Sequence, residues 1–129
     1  MNENGDPDRL LVLIPAYNEE GSIDRVVRGV RLLFPDVDIL VIDDASNDNT
    51  YTTAQAAGAM VVRHPFNLGI GGTFQTGLKF ALHGNYSCVV RLDGDGQHDP
   101  ADIPAMLAVL DQNEADIVVC SDRKSTRLN

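Results

Sequence analysis

The chain has 129 residues, of which 43% are hydrophobic, and 10 basic against 19 acidic residues leave a net charge of -9. This length suits one domain with a buried core. The acidic balance argues against nucleic-acid binding, which relies on basic surfaces. No apolar run reaches the roughly 18 residues of a membrane span, and the N-terminus lacks the pattern of a signal peptide. We therefore expect a cytoplasmic protein, or one at the cytoplasmic face of a membrane.

Short apolar runs recur along the chain and predict strands. The first is the uninterrupted segment LLVLI, which is typical of a parallel strand buried on both faces. The predicted strands are Leu10–Ile14, Val37–Ile42, Ala59–Val62, Ser87–Leu92 and Ala115–Cys120. Two of them contain cysteines, Cys88 and Cys120, which we expect to be buried free thiols because neither has metal-ligand spacing.

Helical patterns separate these strands. Ser22 is a candidate N-cap for a helix whose apolar face is Ile23, Val26, Val27, Val30 and Leu33. A short helix is expected from about Thr50 to Ala57, with Gly58 as its stop. A third has its apolar face at Phe74, Leu78, Ala81 and Leu82, and a fourth begins at Pro100.

The alternation of strands and helices predicts an α/β fold, with a doubly wound, mostly parallel sheet and helices on both faces. We expect residues 1–9 to be disordered and residues 10–120 to form the domain. Residues 121–129 are polar, basic and without periodicity, so they form an atypical tail.

The segment VVRLDGDGQHDP carries the clearest chemical signal. An apolar strand ends there at Asp93 and Asp95, which are separated by a glycine. Ligands of open α/β sheets bind at the carboxyl ends of strands. Two carboxylates this close repel each other unless a cation lies between them or one is protonated, and all-oxygen ligands suit Mg²⁺ or Mn²⁺ with substrate phosphates. The pattern predicts a metal-diphosphate site.

Polar residues follow the other predicted strands as well. Glu19 could bond a ribose hydroxyl, with a solvated position at the start of a helix as the alternative. Tyr17 could stack on a base, with packing under the edge of the sheet as the alternative. Of the adjacent pair Asp43 and Asp44, one is expected to contact a base or ribose and the other to make a turn bond, since their side chains point to different sides. We favour Asp43 for the contact. Gln97 could steady a phosphate or a sugar hydroxyl.

Other motifs fail. The glycines of the loop Asn67–Gly72 resemble a dinucleotide fingerprint, but Phe74 replaces its last glycine. The segment that begins at Asp93 resembles a calcium loop, but His98 replaces the turn glycine. A surface position in a turn is the better interpretation of His98.

Taken together, four segments resemble the N-terminal, nucleotide-binding part of family 2 glycosyltransferases, above all the polyprenyl-phosphate sugar transferases. They are LVLIPAYNEEGSI, ILVIDDASNDNT, HPFNLGIGGTFQTGLKFA and VVRLDGDGQHDPADI, in the family's order and spacing.

This resemblance implies the GT-A fold, a UDP- or GDP-sugar donor and a Mg²⁺ or Mn²⁺ ion. The residues that it implies around the nucleoside are Pro15, Ala16, Tyr17 and Glu19. It also implies Asp43 or Asp44 near the base, and it implies that the loop containing Asn67 and Gly69 flanks the donor. Asp93 and Asp95 would hold the metal on the diphosphate, with Gln97 at the same site.

The resemblance also implies an inverting transfer of the sugar, with polyprenyl phosphate or a glycan as the acceptor. The family continues beyond the fifth strand, whereas SDRKSTRLN does not follow its pattern, and Arg123 is a doubtful counterpart of the family's arginine. The chain therefore resembles a fragment that binds nucleotide and transfers sugar poorly, with any membrane association supplied by a missing C-terminal region.

Three alternatives are open. A non-catalytic nucleotide-binding or partner module would show no turnover. A receiver domain would need its acidic pair after the first strand, where this chain has PAYNEE. A nucleotidyltransferase would need a basic, glycine-rich phosphate loop near its start, which PAYNEEGS is not.

Overall fold

The computed structural model describes residues 9–92 and 94, together with the backbone of residues 118–121 and 126–128. Strands and helices alternate through residues 10–91, as the sequence predicts. In chain order they are β1 (Leu10–Ala16), α1 (Ile23–Leu33), β2 (Asp38–Asp43), α2 (Thr50–Ala56), β3 (Met60–Arg63), α3 (Gly69–His83), β4 (Cys88–Arg91), β5 (Val118–Ser121) and β6 (Thr126–Leu128). The helix predicted at Pro100 and residues 1–8 lie outside the described residues. In the part described, no helix is both long and apolar enough to cross a bilayer.

The strands form one sheet in the order β3-β2-β1-β4-β5-β6. β1 is parallel to β2 and to β4, and β2 is parallel to β3. The chain thus moves outward from β1 to β3 and then returns to place β4 on the other side of β1. Such a reversal is a topological switch point, where ligands of α/β sheets bind beyond the carboxyl ends of the strands. The fold therefore locates a candidate site between the ends of β1 and β4.

Within residues 9–92, three helices cover the two faces of the sheet. α1 and α2 pack on one face, and α3 packs on the other. β1 lies between them, so the consecutive residues Leu11–Ile14 are all fully buried, with odd and even positions in different core clusters. This explains why an uninterrupted apolar run, rather than an alternating one, encodes the strand. The prediction of a mostly parallel sheet with helices on both faces is confirmed.

The far edge of the sheet differs from the parallel part. β5 is antiparallel to β4 and β6 is antiparallel to β5, so the predicted fifth strand does not extend the parallel sheet. β6 falls in the polar tail, where no strand was predicted. Cys88 is disulfide-bonded, so the expectation of a free thiol is wrong for this residue. Cys120 is its partner in the strand register.

Two predicted core positions are wrong, both in the last turn of a helix. Leu33 is 48% exposed and Leu82 is 75% exposed. Neighbouring residues on a helix point about 100° apart, so at these two helix ends one residue of each pair faces the core and its neighbour faces solvent. Phe34, just after α1, packs on the core instead of Leu33, and Ala81 takes the buried position beside Leu82.

Candidate functional site

A cavity of about 500 Å³ opens at the switch point. Its lining residues are Pro15, Ala16, Tyr17, Glu19, Asp44, Asn67, Gly69, Ile70, Thr73, Arg91 and Gly94. Every predicted donor-binding residue that the structure describes lines this cavity, with the exception of Asp43. Tyr17 keeps 44% of its surface exposed, which leaves its ring accessible to a planar ligand group.

The loops that follow β1 and β2 are held together by hydrogen bonds. The backbone N–H of Asn18 donates to Ser46 Oγ at 2.8 Å, and that of Asn47 donates to Asn18 Oδ1 at 2.8 Å. The N–H of Glu19 donates to Thr50 Oγ1 at 2.8 Å. Asn18 has a φ of 55°, in the left-handed region that asparagine tolerates better than most residues. The bonds fix the backbone beside Glu19 without any ligand.

Asp44 holds the start of α3 against the cavity. Its Oδ1 accepts the backbone N–H of Leu68 at 2.8 Å, and its Oδ2 accepts that of Gly69 at 2.9 Å. Oδ1 also faces His64 Nδ1 at 2.8 Å. Burial alone would raise the pKa of Asp44, but the hydrogen bonds from His64, Leu68 and Gly69 outweigh it and lower the pKa. The carboxylate therefore orders the start of α3 while it borders the cavity.

The neighbouring carboxylate has the turn role. Asp43 is fully buried, and its Oδ1 accepts the backbone N–H of Ser46 at 3.0 Å. Its Oδ2 lies 3.6 Å from Arg63 Nε. The structure thus gives Asp43 a turn bond and places Asp44, not Asp43, at the cavity, while the predicted contact with a base or ribose stays a prediction.

His64 is a contributor that the sequence did not indicate. It is 6% exposed, and its Nε2 lies 2.8 Å from Thr76 Oγ1 while Nδ1 faces Asp44. Since the ionised carboxylate only accepts, Nδ1 carries the proton in this contact. The imidazole thus joins the end of β3 to α3. Its position directly after a strand, across from an acidic strand end, was the available signal.

Arg91 was also missed. It lies at the end of β4 and lines the cavity from the side opposite Asp44 on the sheet. A guanidinium at this place can donate to phosphate oxygens. The signal was a charged residue inside the otherwise apolar segment VVRL, since arginine is mostly found at exposed positions.

Gly94 packs closely against the end of β1. It is buried, and a Cβ placed on it would lie 3.1 Å from the carbonyl oxygen of Pro15 and 3.2 Å from Ala16 Cβ. Asp93, Asp95 and Gln97 lie outside the described residues, and the described ones contain no cluster of three metal-ligand side chains. Gly94 lies at the cavity wall, and the aspartates on either side of it in the sequence carry the oxygen ligands that suit Mg²⁺ or Mn²⁺.

The sequence model described as Glycosyl transferase family 2 matches residues 11–126. The chain belongs to this family. Two relatives are similar over most of it. The undecaprenyl-phosphate mannosyltransferase of Micrococcus luteus is 34% identical over 89% of this chain and 49% of its own length. The UDP-N-acetylglucosamine–dolichyl-phosphate N-acetylglucosaminyltransferase of Methanococcus voltae is 33% identical over 93% of this chain and 55% of its own length.

Among solved structures, a similar one is glucosyl-3-phosphoglycerate synthase from Mycobacterium tuberculosis, in complex with Mn²⁺, UDP-glucose and phosphoglyceric acid. It has a TM-score of 0.66 and 28% identity, covering 81% of this chain and 40% of that one. The predicted Rossmann-like GT-A fold is thereby confirmed. The chain spans about half the length of the two transferases named above, 49% of one and 55% of the other.

Proposed function

We propose that this chain is the donor-binding part of a glycosyltransferase that moves a sugar from a nucleotide-diphosphate donor to an acceptor, either a polyprenyl phosphate or a glycan. The observation that carries the proposal is the cavity at the switch point, which has Asp44 on one side and Gly94 of the Asp-Gly-Asp segment on the other. Family membership supports it, and so do the two relatives named above, both of which are polyprenyl-phosphate sugar transferases. The reaction would take place in the cytoplasm or at the cytoplasmic face of a membrane.

In the proposed complex, the donor would contact more than one wall of the cavity. We assign the nucleoside to the end of β1, where Pro15, Ala16, Tyr17 and Glu19 lie, and the base to Asp44. Asn67 and Gly69 would flank the donor from the start of α3. In this arrangement the rigid loops after β1 and β2 hold the nucleoside while the diphosphate extends toward β4.

The diphosphate end belongs to the acidic segment. Asp93 and Asp95 would hold Mg²⁺ or Mn²⁺, with Gln97 beside it, and Arg91 would face the same phosphates. When bound, the ion would stabilise the negative charge of the leaving diphosphate. The acceptor oxygen forms its bond to the anomeric carbon from the face opposite the breaking bond to the diphosphate, so the configuration inverts. A phosphate acceptor is already anionic, and the chain then needs no strong general base.

A second candidate follows from the length of the match. Because the chain spans about half of its relatives, it could bind nucleotide without transferring sugar. Turnover separates the two candidates. Release of the nucleoside diphosphate that depends on polyprenyl phosphate supports transfer, whereas metal-dependent binding with no turnover supports the binding-only function.

Calorimetric titration of UDP and of GDP, each with and without Mn²⁺, tests the donor site. We expect one nucleotide to bind in a metal-dependent way and Asp95→Asn to abolish that dependence. Asp36→Asn is the matched control, since it removes the same charge from an exposed turn before β2. That turn lies at the amino-terminal end of the strand, away from the cavity at the carboxyl ends. A folded chain that binds neither nucleotide, or an Asp36→Asn variant that loses binding as well, contradicts the proposal.

A further inference from the structure

The side chain of Ser22 does not do what its position suggests. It occupies the N-cap position of α1, but its hydroxyl makes no capping bond to that helix. Instead it donates to the carbonyl oxygen of Gly94 at 2.6 Å, across 72 positions of the chain. Glu19 Oε1 also lies 3.4 Å from the hydroxyl, but a hydroxyl has one proton, and the much shorter contact is to Gly94.

Gly94 is therefore held from two directions. The end of β1 contacts it so closely that a Cβ would be only 3.1 Å from the Pro15 carbonyl and 3.4 Å from Ile23 Cδ1. From the start of α1, Ser22 binds its carbonyl. Packing limits where the residue can be, whereas the hydrogen bond fixes the rotation of its carbonyl. Together they determine both the position and the orientation of this peptide.

That peptide is the link between the two aspartates. The Gly94 carbonyl belongs to the planar unit that joins Gly94 to Asp95, so a bond that fixes the carbonyl restricts the backbone from which Asp93 and Asp95 extend. Two carboxylates that must bind one ion repel each other before it arrives. A turn that is free to rotate would separate them, and metal binding would then have to order the turn at an entropic cost.

We propose that Ser22 is a positioning residue for the metal-diphosphate site. It acts through the Gly94 carbonyl and holds the backbone at Gly94, between the two aspartates in sequence, in place before the ion binds. This inference rests on the proposed function, because it assumes that the two aspartates hold the metal. It adds the N-cap residue of α1, which would act through the Gly94 carbonyl and not through a bond to the ion or the donor.

The test is the affinity for Mn²⁺ in the presence of whichever nucleoside diphosphate, UDP or GDP, binds the wild-type chain. Free Mn²⁺ is measured by electron paramagnetic resonance, so no turnover is needed. Ser22→Ala should weaken Mn²⁺ binding about tenfold, the lower end of what loss of a second-layer contact costs a metal site. Binding of the nucleotide without metal should not change. Ser22→Thr keeps the hydroxyl and should stay within about twofold of the wild type.

Ser87→Ala is the matched control. Ser87 also donates from its hydroxyl to a backbone carbonyl, that of Arg9 at 2.8 Å, but just before β4, at the end of the strand away from the cavity. Its loss removes the same kind of bond and should leave Mn²⁺ affinity unchanged. If Ser22→Ala does not fold, Ser22→Cys replaces it, since a thiol of similar size is only a weak donor.

Three results would overturn the inference. Mn²⁺ affinity could be unchanged in Ser22→Ala, or in Ser22→Cys if that variant is used. It could also fall equally in Ser87→Ala, which would indicate general destabilisation. If the wild-type chain binds nucleotide without any dependence on Mn²⁺, or binds none, the proposed function fails and the inference fails with it.

Discussion

Replacing Asp44 with asparagine tests whether the charge of this side chain, and not only its shape, orders the start of α3. The carboxylate is 4% exposed and accepts three hydrogen bonds, from the backbone N–H groups of Leu68 and Gly69 and from His64 Nδ1. An asparagine amide has one acceptor oxygen, so its NH₂ group must face at least one of these donors. Each buried donor left unpaired costs about 1–3 kcal/mol, and a hydrogen bond to a charged group contributes about 1.5–3 kcal/mol.

We therefore expect Asp44→Asn to lower the free energy of unfolding by about 2–4 kcal/mol near neutral pH. The pH dependence gives a second, independent result. The hydrogen bonds lower the pKa of Asp44 below the 3.8 of an unperturbed aspartate. The folded state thus binds this proton more weakly than the unfolded state. The stabilisation by the Asp44 carboxylate is complete above the unfolded-state pKa of 3.8, and it is lost as the pH falls through the lower pKa of the folded state. The gap between wild type and variant should shrink below pH 3.8.

Urea unfolding followed by circular dichroism, repeated at several pH values from neutral to below 3.8, measures both effects. Asp36→Asn serves as control, because an exposed surface substitution usually changes stability by less than about 0.5 kcal/mol. If Asp44→Asn is no less stable than Asp36→Asn, the carboxylate does not hold the loop. A deficit of constant size at every pH would show that the loss comes from shape and not from charge.

Two further results are expected from the rest of the chain. A Cβ at Gly77 would overlap the buried side chain of Leu13, so Gly77→Ala should lower the free energy of unfolding in urea by about 1–3 kcal/mol, although alanine has the better helix propensity. Gly71→Ala in the same helix meets open space and should raise the free energy of unfolding by about 0.5–1 kcal/mol. Equal effects of the two substitutions would contradict the tight packing of α3 on β1. Burial and a hydrogen bond to Asp38 raise the pKa of Tyr86 to about 12. Absorbance titration of the tyrosine phenols should therefore show one component near that pH, and Tyr86→Phe should remove it. If the component persists in the variant, the assignment to Tyr86 is wrong.

Much of the fold could be predicted because it depends on local patterns. The run LLVLI is apolar on both sides because β1 is covered on both faces, and a strand that is covered twice has few alternatives. The place of the cavity could also be predicted, since polar loops after parallel strands must meet at one edge. The exposed Leu33 shows the limit of this approach, because helical spacing does not say where the helix passes the end of the core.

The finer assignments depended on contacts that no local pattern encodes. Asp43 and Asp44 are adjacent and chemically identical, and only the direction in which β2 ends decides which one borders the cavity. Ser22 has the sequence signature of an N-cap, but its hydroxyl bonds a residue 72 positions away. His64 acquires its role only when β3 lies beside β2. In each case the sequence supplies the functional group and the topology chooses its partner.

Hydrogen bonds between segments distant in sequence hold the described loops around the cavity in place. The loops after β1 and β2 are joined through Asn18 and Glu19, the start of α3 is joined to Asp44, and Gly94 is joined to Ser22. Each bond connects segments that are distant in sequence, so each orders a loop that would otherwise lose entropy when a ligand binds. A site ordered in advance can use its contacts with the nucleotide for affinity and specificity. Under the proposed function, loss of the bond from Ser22 to the Gly94 carbonyl should therefore affect the metal-diphosphate site first.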